Sequence, residues 1–323
     1  MLDNDEKVNR KSICHSLPKT VPMLCGFFLV FASLDEAFSA DKQCTVTKKA
    51  QIQIQENGNR FMGVVELNHK SVMMLIDSGA SRAALVPDAG DAMMLYQQQR
   101  KITRIDGVGG RIERHPYAAS ILQFGPVVLL NHDMDAVNIS SPNEVRNSST
   151  PLGLIGTDVL SIFDVEFDFP NHTMSFYEVN NCDGRFLPWE GPYQDIQAIK
   201  GQGNVFIIPV ELNGQVIEAL VDTGANISTL GSEAAKRMGL DLKNRTGKVT
   251  QFYGAAGRAV NAEQYNIETV QIGNLKFNNI PLFVRSESFA NFDMLLGIDF
   301  LKGQKVWLSY KTDQVFFQSQ KRQ

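Results

Sequence analysis

Asp77-Ser78-Gly79 and Asp222-Thr223-Gly224 stand 145 residues apart in a chain of 323 residues. Each aspartate follows an apolar pair, Leu75-Ile76 or Leu220-Val221, and each tripeptide runs on into an alanine, Ala80 or Ala225. Two carboxyls that share one proton can do a particular kind of work: the ionised one takes a proton from water, and the protonated one donates to a carbonyl oxygen. Amide hydrolysis needs both acts. Carboxylates about 3 Å apart cannot both ionise easily, so the two protonations of such a pair separate. The chemistry therefore requires the two aspartates to meet across an axis. A single Asp-Ser/Thr-Gly is an ordinary turn sequence, so the surroundings of the two copies decide its meaning.

Those surroundings repeat. Val65-Glu66-Leu67-Asn68 returns as Val210-Glu211-Leu212-Asn213, again 145 residues on. Gly107-Val108-Gly109-Gly110 aligns with Gly254-Ala255-Ala256-Gly257 at an offset of 147. Leu154-Ile155-Gly156 aligns with Leu295-Leu296-Gly297, and Val165 to Phe169 matches Val306 to Tyr310 in pattern, both at 141. Five matches in the same order, with a drift of a few residues, mark one unit present twice.

Each unit reads as β-rich. Asn204 to Leu212 and Gln215 to Val221 are apolar, β-branched runs around the turn signal Asn213-Gly214, and Asn68-His69 is the weaker turn of the first copy. Both runs lead straight into the aspartate. Ser232 to Met238 reads as a short helix, with Ser232 as its cap and Gly239 closing it, and Pro87 to Met94 is a less regular version. Each unit ends in a hairpin, Asp164 to Phe169 with Met174 to Tyr177, and Lys305 to Tyr310 with Val315 to Gln318. The expected organisation is an N-terminal leader over 1–40, a first lobe over 41–180, a glycine- and proline-rich linker over 181–203 and a second lobe over 204–323.

Local chemistry gives the neighbours of the aspartates their work. Gly79 and Gly224 let the chain turn sharply and bring backbone N–H groups to the carboxylates. Ser78 and Thr223 offer hydroxyls that can bond across the axis. The glycines Gly107, Gly109 and Gly110, and Gly254 and Gly257, suit mobile hairpin tips that fold over an extended peptide bound as an added strand.

With Asp77-Ser78-Gly79-Ala80, Asp222-Thr223-Gly224-Ala225 and the two apolar-apolar-Gly segments, the chain resembles the retropepsin-like aspartic peptidases over roughly residues 50 to 318. The resemblance implies an all-β fold with short helices, built as two tandem closed-barrel lobes with a catalytic cleft between them. It implies Asp77 and Asp222 as the catalytic pair of an aspartic endopeptidase, formed within one monomeric chain, and no cofactor. A non-catalytic peptide-binding or scaffold protein on the same fold is the competing reading. The chain departs from its relatives in the flap, where the one aromatic comparable to a flap tyrosine is Tyr253, in the second copy. It departs again after the apolar-apolar-Gly segments, where Thr157 and Ile298 stand in place of a frequent basic residue.

Composition narrows the partners. The net charge is −4, with no basic excess, so the expected partner is a peptide or protein rather than nucleic acid. His69, His115, His132 and His172 are scattered without paired ligand spacing, so no metal is expected. Lys7, Arg10, Lys11 and Lys19 precede an apolar run from Val21 to Leu34, followed by Ala37-Phe38-Ser39-Ala40. The run has signal-peptide length, with cleavage after Ser39, and the expected location is periplasmic or secreted. An uncleaved leader would instead be a membrane anchor. Cys44 and Cys182 would remain in the mature chain, a possible disulfide bracketing the first unit.

Overall fold

The computed structural model describes residues 43–139, 150–240 and 245–319. The leader over 1–40 lies outside the described residues, as does most of the polar stretch from Asn138 to Pro151.

Each repeat closes a six-stranded barrel. In the first, Phe61–Leu67 pairs with Lys70–Ile76, and the order continues through Gly153–Ile155, Ala84–Leu85, Val127–Ala136 and Tyr117–Phe124. Tyr117–Phe124 then pairs back onto Phe61–Leu67 and closes the ring. The second barrel repeats the path with Phe206–Leu212, Gln215–Val221, Met294–Leu296, Thr229–Leu230, Leu275–Arg285 and Ala259–Ile272. Closure leaves these strands no open edge. The strands alternate, so Phe61, Val65, Leu67, Phe206, Val210 and Leu212 turn inward and are fully or almost fully buried.

The hairpin turns show why both copies close alike. Asn213 and Gly214 have φ of 49° and 79°, and Asn68 and His69 have φ of 47° and 66°. Both turns therefore use left-handed backbone at two successive positions, the geometry that suits a two-residue hairpin. His69 lacks glycine's freedom, and the asparagine compensates in kind. The Asn68 side-chain oxygen accepts from the Ile121 N–H at 3.0 Å, and the Asn213 oxygen accepts from the Thr269 N–H at 3.0 Å.

A third sheet joins the lobes. Its order is Thr45–Gln53, Thr173–Asn180, Asp164–Asp168, Gln304–Ser309, Gln314–Ser319 and Gln194–Gln197, antiparallel throughout. Each repeat supplies three strands once Gln194–Gln197, read from the sequence as linker, is counted with the second. At the centre Val165 pairs with Leu308 and Phe167 with Val306, so the register maps onto itself when one repeat is exchanged for the other. A local two-fold axis thus runs through the middle of this sheet. One face packs on the barrels through Phe167, Phe169, Phe176 and Phe317. The other is covered by Phe186, Leu187, Trp189 and Tyr193 from the join between the repeats, packed on Tyr177, Trp307 and Phe316. Cys44 and Cys182 form a disulfide at the edge of the sheet where its first two strands meet.

The helices are short. Pro87–Ala92 (α1) and Ser232–Arg237 (α3) follow the barrel strands Ala84–Leu85 and Thr229–Leu230, while Thr157–Leu160 (α2) and Ile298–Leu301 (α4) follow the apolar-apolar-Gly segments. The cap of α3 differs from the sequence expectation. Gly231 takes the cap position and Ser232 is already helical, because Ser288 reaches in from a distant loop to accept the Glu233 N–H at 2.9 Å. Gly239 does close the helix, with φ of 64°.

Candidate active site

The two aspartates sit at the ends of equivalent barrel strands, Lys70–Ile76 and Gln215–Val221. Each of these strands is flanked in parallel by the short apolar strand of the same lobe, Leu154 beside Leu75 and Leu295 beside Leu220. The flanking strands fix the first atom after each strand end: the Asp77 N–H donates to Ile155 O and the Asp222 N–H to Leu296 O, both at 3.0 Å. The chain then turns back over the carboxyl. Oδ1 of Asp77 accepts from the N–H groups of Gly79 and Ala80 at 2.9 and 3.0 Å. Oδ1 of Asp222 accepts from Gly224 and Ala225 at the same distances. One oxygen of each carboxyl, Oδ1, is thereby held by two backbone N–H groups.

Ser78 and Thr223 cross the axis. The Thr223 hydroxyl accepts from the Ser78 N–H at 3.0 Å and donates to Ile76 O at 2.7 Å. The Ser78 hydroxyl accepts from the Thr223 N–H at 3.0 Å and donates to Val221 O at 2.8 Å. All four bonds are buried, and each joins one lobe to the other. Gly79 and Gly224 are needed by space. A Cβ on Gly79 would lie 2.5 Å from Cγ of Asp222, and one on Gly224 would lie 2.4 Å from Cγ of Asp77. Each glycine therefore faces the opposite aspartate across the axis, and an alanine in either place would force the carboxyls apart.

The electrostatics follow. Both aspartates are partly accessible, yet protein surrounds both carboxyls. Burial pushes Asp77 well above the usual carboxylate range, and the charge and hydrogen bond of Asp222 push it further. Burial also raises Asp222, but the N–H groups of Gly224 and Ala225 and the hydrogen bond from Asp77 hold it back. The proton belongs to the pair. Burial and the neighbouring carboxyl together favour one shared proton over two ionised groups.

A second layer supports the loops, and the sequence reading missed it. Asp158 accepts from the Ala83 N–H at 2.8 Å, and Asp299 accepts from the Ser228 N–H at 2.9 Å and from its hydroxyl at 2.6 Å. Asp158 and Asp299 lie two residues after Gly156 and Gly297, so the Gly-x-Asp offset of 141 was visible in the repeat. At Thr157, the hydroxyl donates to Ala80 O at 3.1 Å and also reaches Gly203 O, tying the first loop to the start of the second lobe. Arg60 Nε donates to the Asn226 side chain at 3.1 Å, a further tie between the lobes beside the second aspartate loop.

The glycine-rich segments are hairpin tips. Gly107 pairs with Gly110 at the end of the hairpin Thr103–Gly107 and Gly110–Arg114, with Gly109 in the turn at φ of 90°. In the second lobe Tyr253 pairs with Ala259, and residues 254–258 form the tip, with Gly257 at φ of 68°. The two tips touch. A Cβ on Gly107 would lie 2.9 Å from that of Ala255, and one on Gly254 would lie 2.4 Å from that of Val108. They also cross: Val108 packs on Val205, Ile207, Leu220 and Leu295 of the second lobe, and Ala255 on Leu75, Ala84, Val137 and Leu154 of the first. Each tip so covers the wall that leads to the opposite lobe's aspartate. Tyr253 does not reach toward the aspartates; its hydroxyl donates to the Gln251 side chain at 3.2 Å on the exposed face of the hairpin.

Among the described residues, no three His, Cys, Asp or Glu side chains converge as a metal site, and no helix is long and apolar enough to cross a membrane. No curated protein matches the chain. Two family descriptions do. "Aspartyl protease" matches residues 64–159 and "gag-polyprotein putative aspartyl protease" matches residues 208–303, and together they span more than half of the chain. Each match falls on one of the two barrels and takes in its aspartate, its hairpin tip and its apolar-apolar-Gly segment. With two such domains in tandem and a closed barrel in each, the chain belongs to the retropepsin-like aspartyl proteases, in a two-lobed form.

Proposed function

We propose that the protein is an active aspartic endopeptidase whose water is activated between Asp77 and Asp222. The observation that carries this reading is the hydrogen-bonded carboxyl pair, raised in pKa by burial and held in two matching cradles. Ionised Asp222 takes a proton from water as its oxygen attacks the peptide carbonyl carbon. Asp77 gives its proton to the carbonyl oxygen, forming a neutral tetrahedral diol. Asp222 then gives its proton to the nitrogen while Asp77 takes one from a diol hydroxyl; the C–N bond breaks, the peptide halves leave as carboxylic acid and amine, and the pair again holds one proton. The substrate lies extended beneath the hairpin tips, which lift to admit it.

Peptide cleavage by the purified protein, inhibited by a hydroxyl-bearing transition-state analogue, tests the reading. Asp77→Asn and Asp222→Asn each lower kcat by about a hundredfold or more, the scale of a lost general acid or base. Cleavage undiminished in both variants sinks the catalytic reading and leaves a peptide-binding protein.

We also place the protein outside the cytoplasm. Its support is the Cys44–Cys182 disulfide, a bond that persists in oxidising compartments. Cell fractionation with N-terminal sequencing decides: a mature chain beginning at Ala40 in the exported fraction is the expected outcome, and an intact N-terminus in a cytoplasmic pool contradicts it.

A further inference from the structure

The walls on the two sides of the aspartates are built from equivalent positions, and they differ in chemistry. In the first lobe Leu75 pairs with Leu154, Leu154 with Ala84, and Ala84 with Asp135. Two residues beyond Asp135 stands Val137, whose N–H continues the pairing to Leu85 O at 2.9 Å. In the second lobe the same path runs Leu220, Leu295, Thr229 and Phe283, and two residues beyond Phe283 stands Arg285. Leu75, Ala84, Val137 and Leu154 form one apolar cluster. Their counterparts are Leu220, Thr229, Arg285 and Leu295.

Those two exchanges place polar atoms where the first lobe has alanine and valine; in the reverse sense Phe283 stands in place of Asp135, a carboxylate 6% exposed that pairs with Arg82 at 3.3 Å. Thr229 and Arg285 are each only 3% exposed. The Thr229 hydroxyl and the Arg285 Nε have no hydrogen-bond partner among the described residues. The guanidinium lies over the ring of Phe289, 4.4 Å from its centroid, and its nearest carboxylate is that of Glu287, at 3.8 Å and mostly in solvent. Phe289 in turn packs on the wall cluster that Val108 covers with the flaps closed. A buried guanidinium keeps its charge, and a donor left without an acceptor there is costly. Valine, the residue of the first lobe, would avoid that cost.

We propose that Arg285, together with Thr229, makes the second lobe's half of the cleft a binding site for a carboxylate side chain, so that substrates carry Asp or Glu on one side of the scissile bond. The first lobe's wall takes an apolar residue on the other side. Lifting the flaps to admit a peptide removes Val108 from this wall and lets the side chain supply the missing acceptor. This inference rests on the peptidase reading, and the two fail separately.

The test is cleavage-site profiling of a peptide library with the wild type and Arg285→Val, followed by paired peptides with Glu, Gln or Leu at the selected position. The wild type is expected to prefer Glu over Gln in kcat/KM by about tenfold or more, the scale of one charge-assisted hydrogen bond. Arg285→Val abolishes that preference and favours Leu, while cleavage of peptides apolar at that position continues. Arg285→Lys keeps part of the preference, as a residual charge without the planar fork. A wild-type profile with no acidic preference near the cut, or one that Arg285→Val leaves unchanged, overturns the proposal. Should Arg285→Val fail to fold, the wild-type ratio of Glu to Gln peptides decides alone, and a ratio of one refutes it. Should the wild type cleave nothing, the peptidase reading fails, and fluorescence anisotropy with the same three peptides still judges Arg285: tighter binding of the Glu peptide supports it and equal binding does not.

Discussion

At the scale of residues, the two aspartates are equivalent in backbone and share one proton. Both are cradled by two N–H groups at matching distances, yet Asp77 is raised further because the charge of Asp222 adds to its burial. The raised value has a thermodynamic consequence. Between the ordinary aspartate value of about 3.9 and the raised folded value, the folded protein binds more protons than the unfolded chain, so its stability falls as pH rises through that window. Asp77→Asn removes the acid whose affinity is raised, and the amide oxygen can still accept from Gly79 and Ala80. Thermal melts should therefore show Asp77→Asn above the wild type at neutral pH, with the gap closing as the pH drops toward 3.9. A gap that is constant with pH would show that the pair's proton affinity is ordinary. The aspartates and their serine, threonine and glycine neighbours were legible in the sequence because each has a local signature that occurs twice. Arg285 and Thr229 were not, since neither resembles its counterpart, Val137 or Ala84, and their equivalence exists only in the strand register.

At the scale of elements, the barrels were readable because alternation, turn residues and the tripeptides all recur in one order. The shared sheet was not. Its central pair joins Asp164–Asp168 to Gln304–Ser309, about 140 residues apart, and no local pattern announces which hairpin edges will meet. The cap of α3 was misread for the same reason, since Ser288 arrives from 55 residues away in sequence. The crossing of the hairpin tips also lies beyond local reading, and it supports a prediction. Gly107 and Ala255 would accept a cystine if the hairpin tips moved apart by about 1 Å to the usual Cβ separation, and neither has a positive φ. Oxidised Gly107→Cys/Ala255→Cys protein should be locked with its tips joined and cleave peptides poorly, while a reductant should restore most of the activity. Full activity in the oxidised, verifiably cross-linked protein would mean that the tips need not part to admit a substrate.

At the scale of the whole molecule, one question is whether a working pair forms inside one chain or between two. Each lobe carries one aspartate, so a pair could in principle be assembled from the lobes of different molecules. The architecture argues against exchange. The lobes share a six-stranded sheet with three strands from each, its outer face is sealed by the join between them, and the four buried bonds of Ser78 and Thr223 cross from lobe to lobe. Separating the lobes would open the strand pairing between Val165 and Leu308 and strip cover from Trp307, which is fully buried. Burying an aromatic of that size contributes about 3 kcal/mol, and each stranded buried polar group costs about 1–3 kcal/mol more. Lobes held at that cost do not trade partners on the time scale of an assay. Mixing Asp77→Asn protein with Asp222→Asn protein should therefore restore no activity, whereas exchange of lobes would regenerate an intact pair in part of the mixture. The outcome is read from the initial rate of peptide cleavage after prolonged co-incubation at high concentration. Recovery toward a quarter of the wild-type rate, the limit for random re-pairing of an equal mixture, would show that the lobes do part and re-pair, and that the shared sheet is an interface between separable halves.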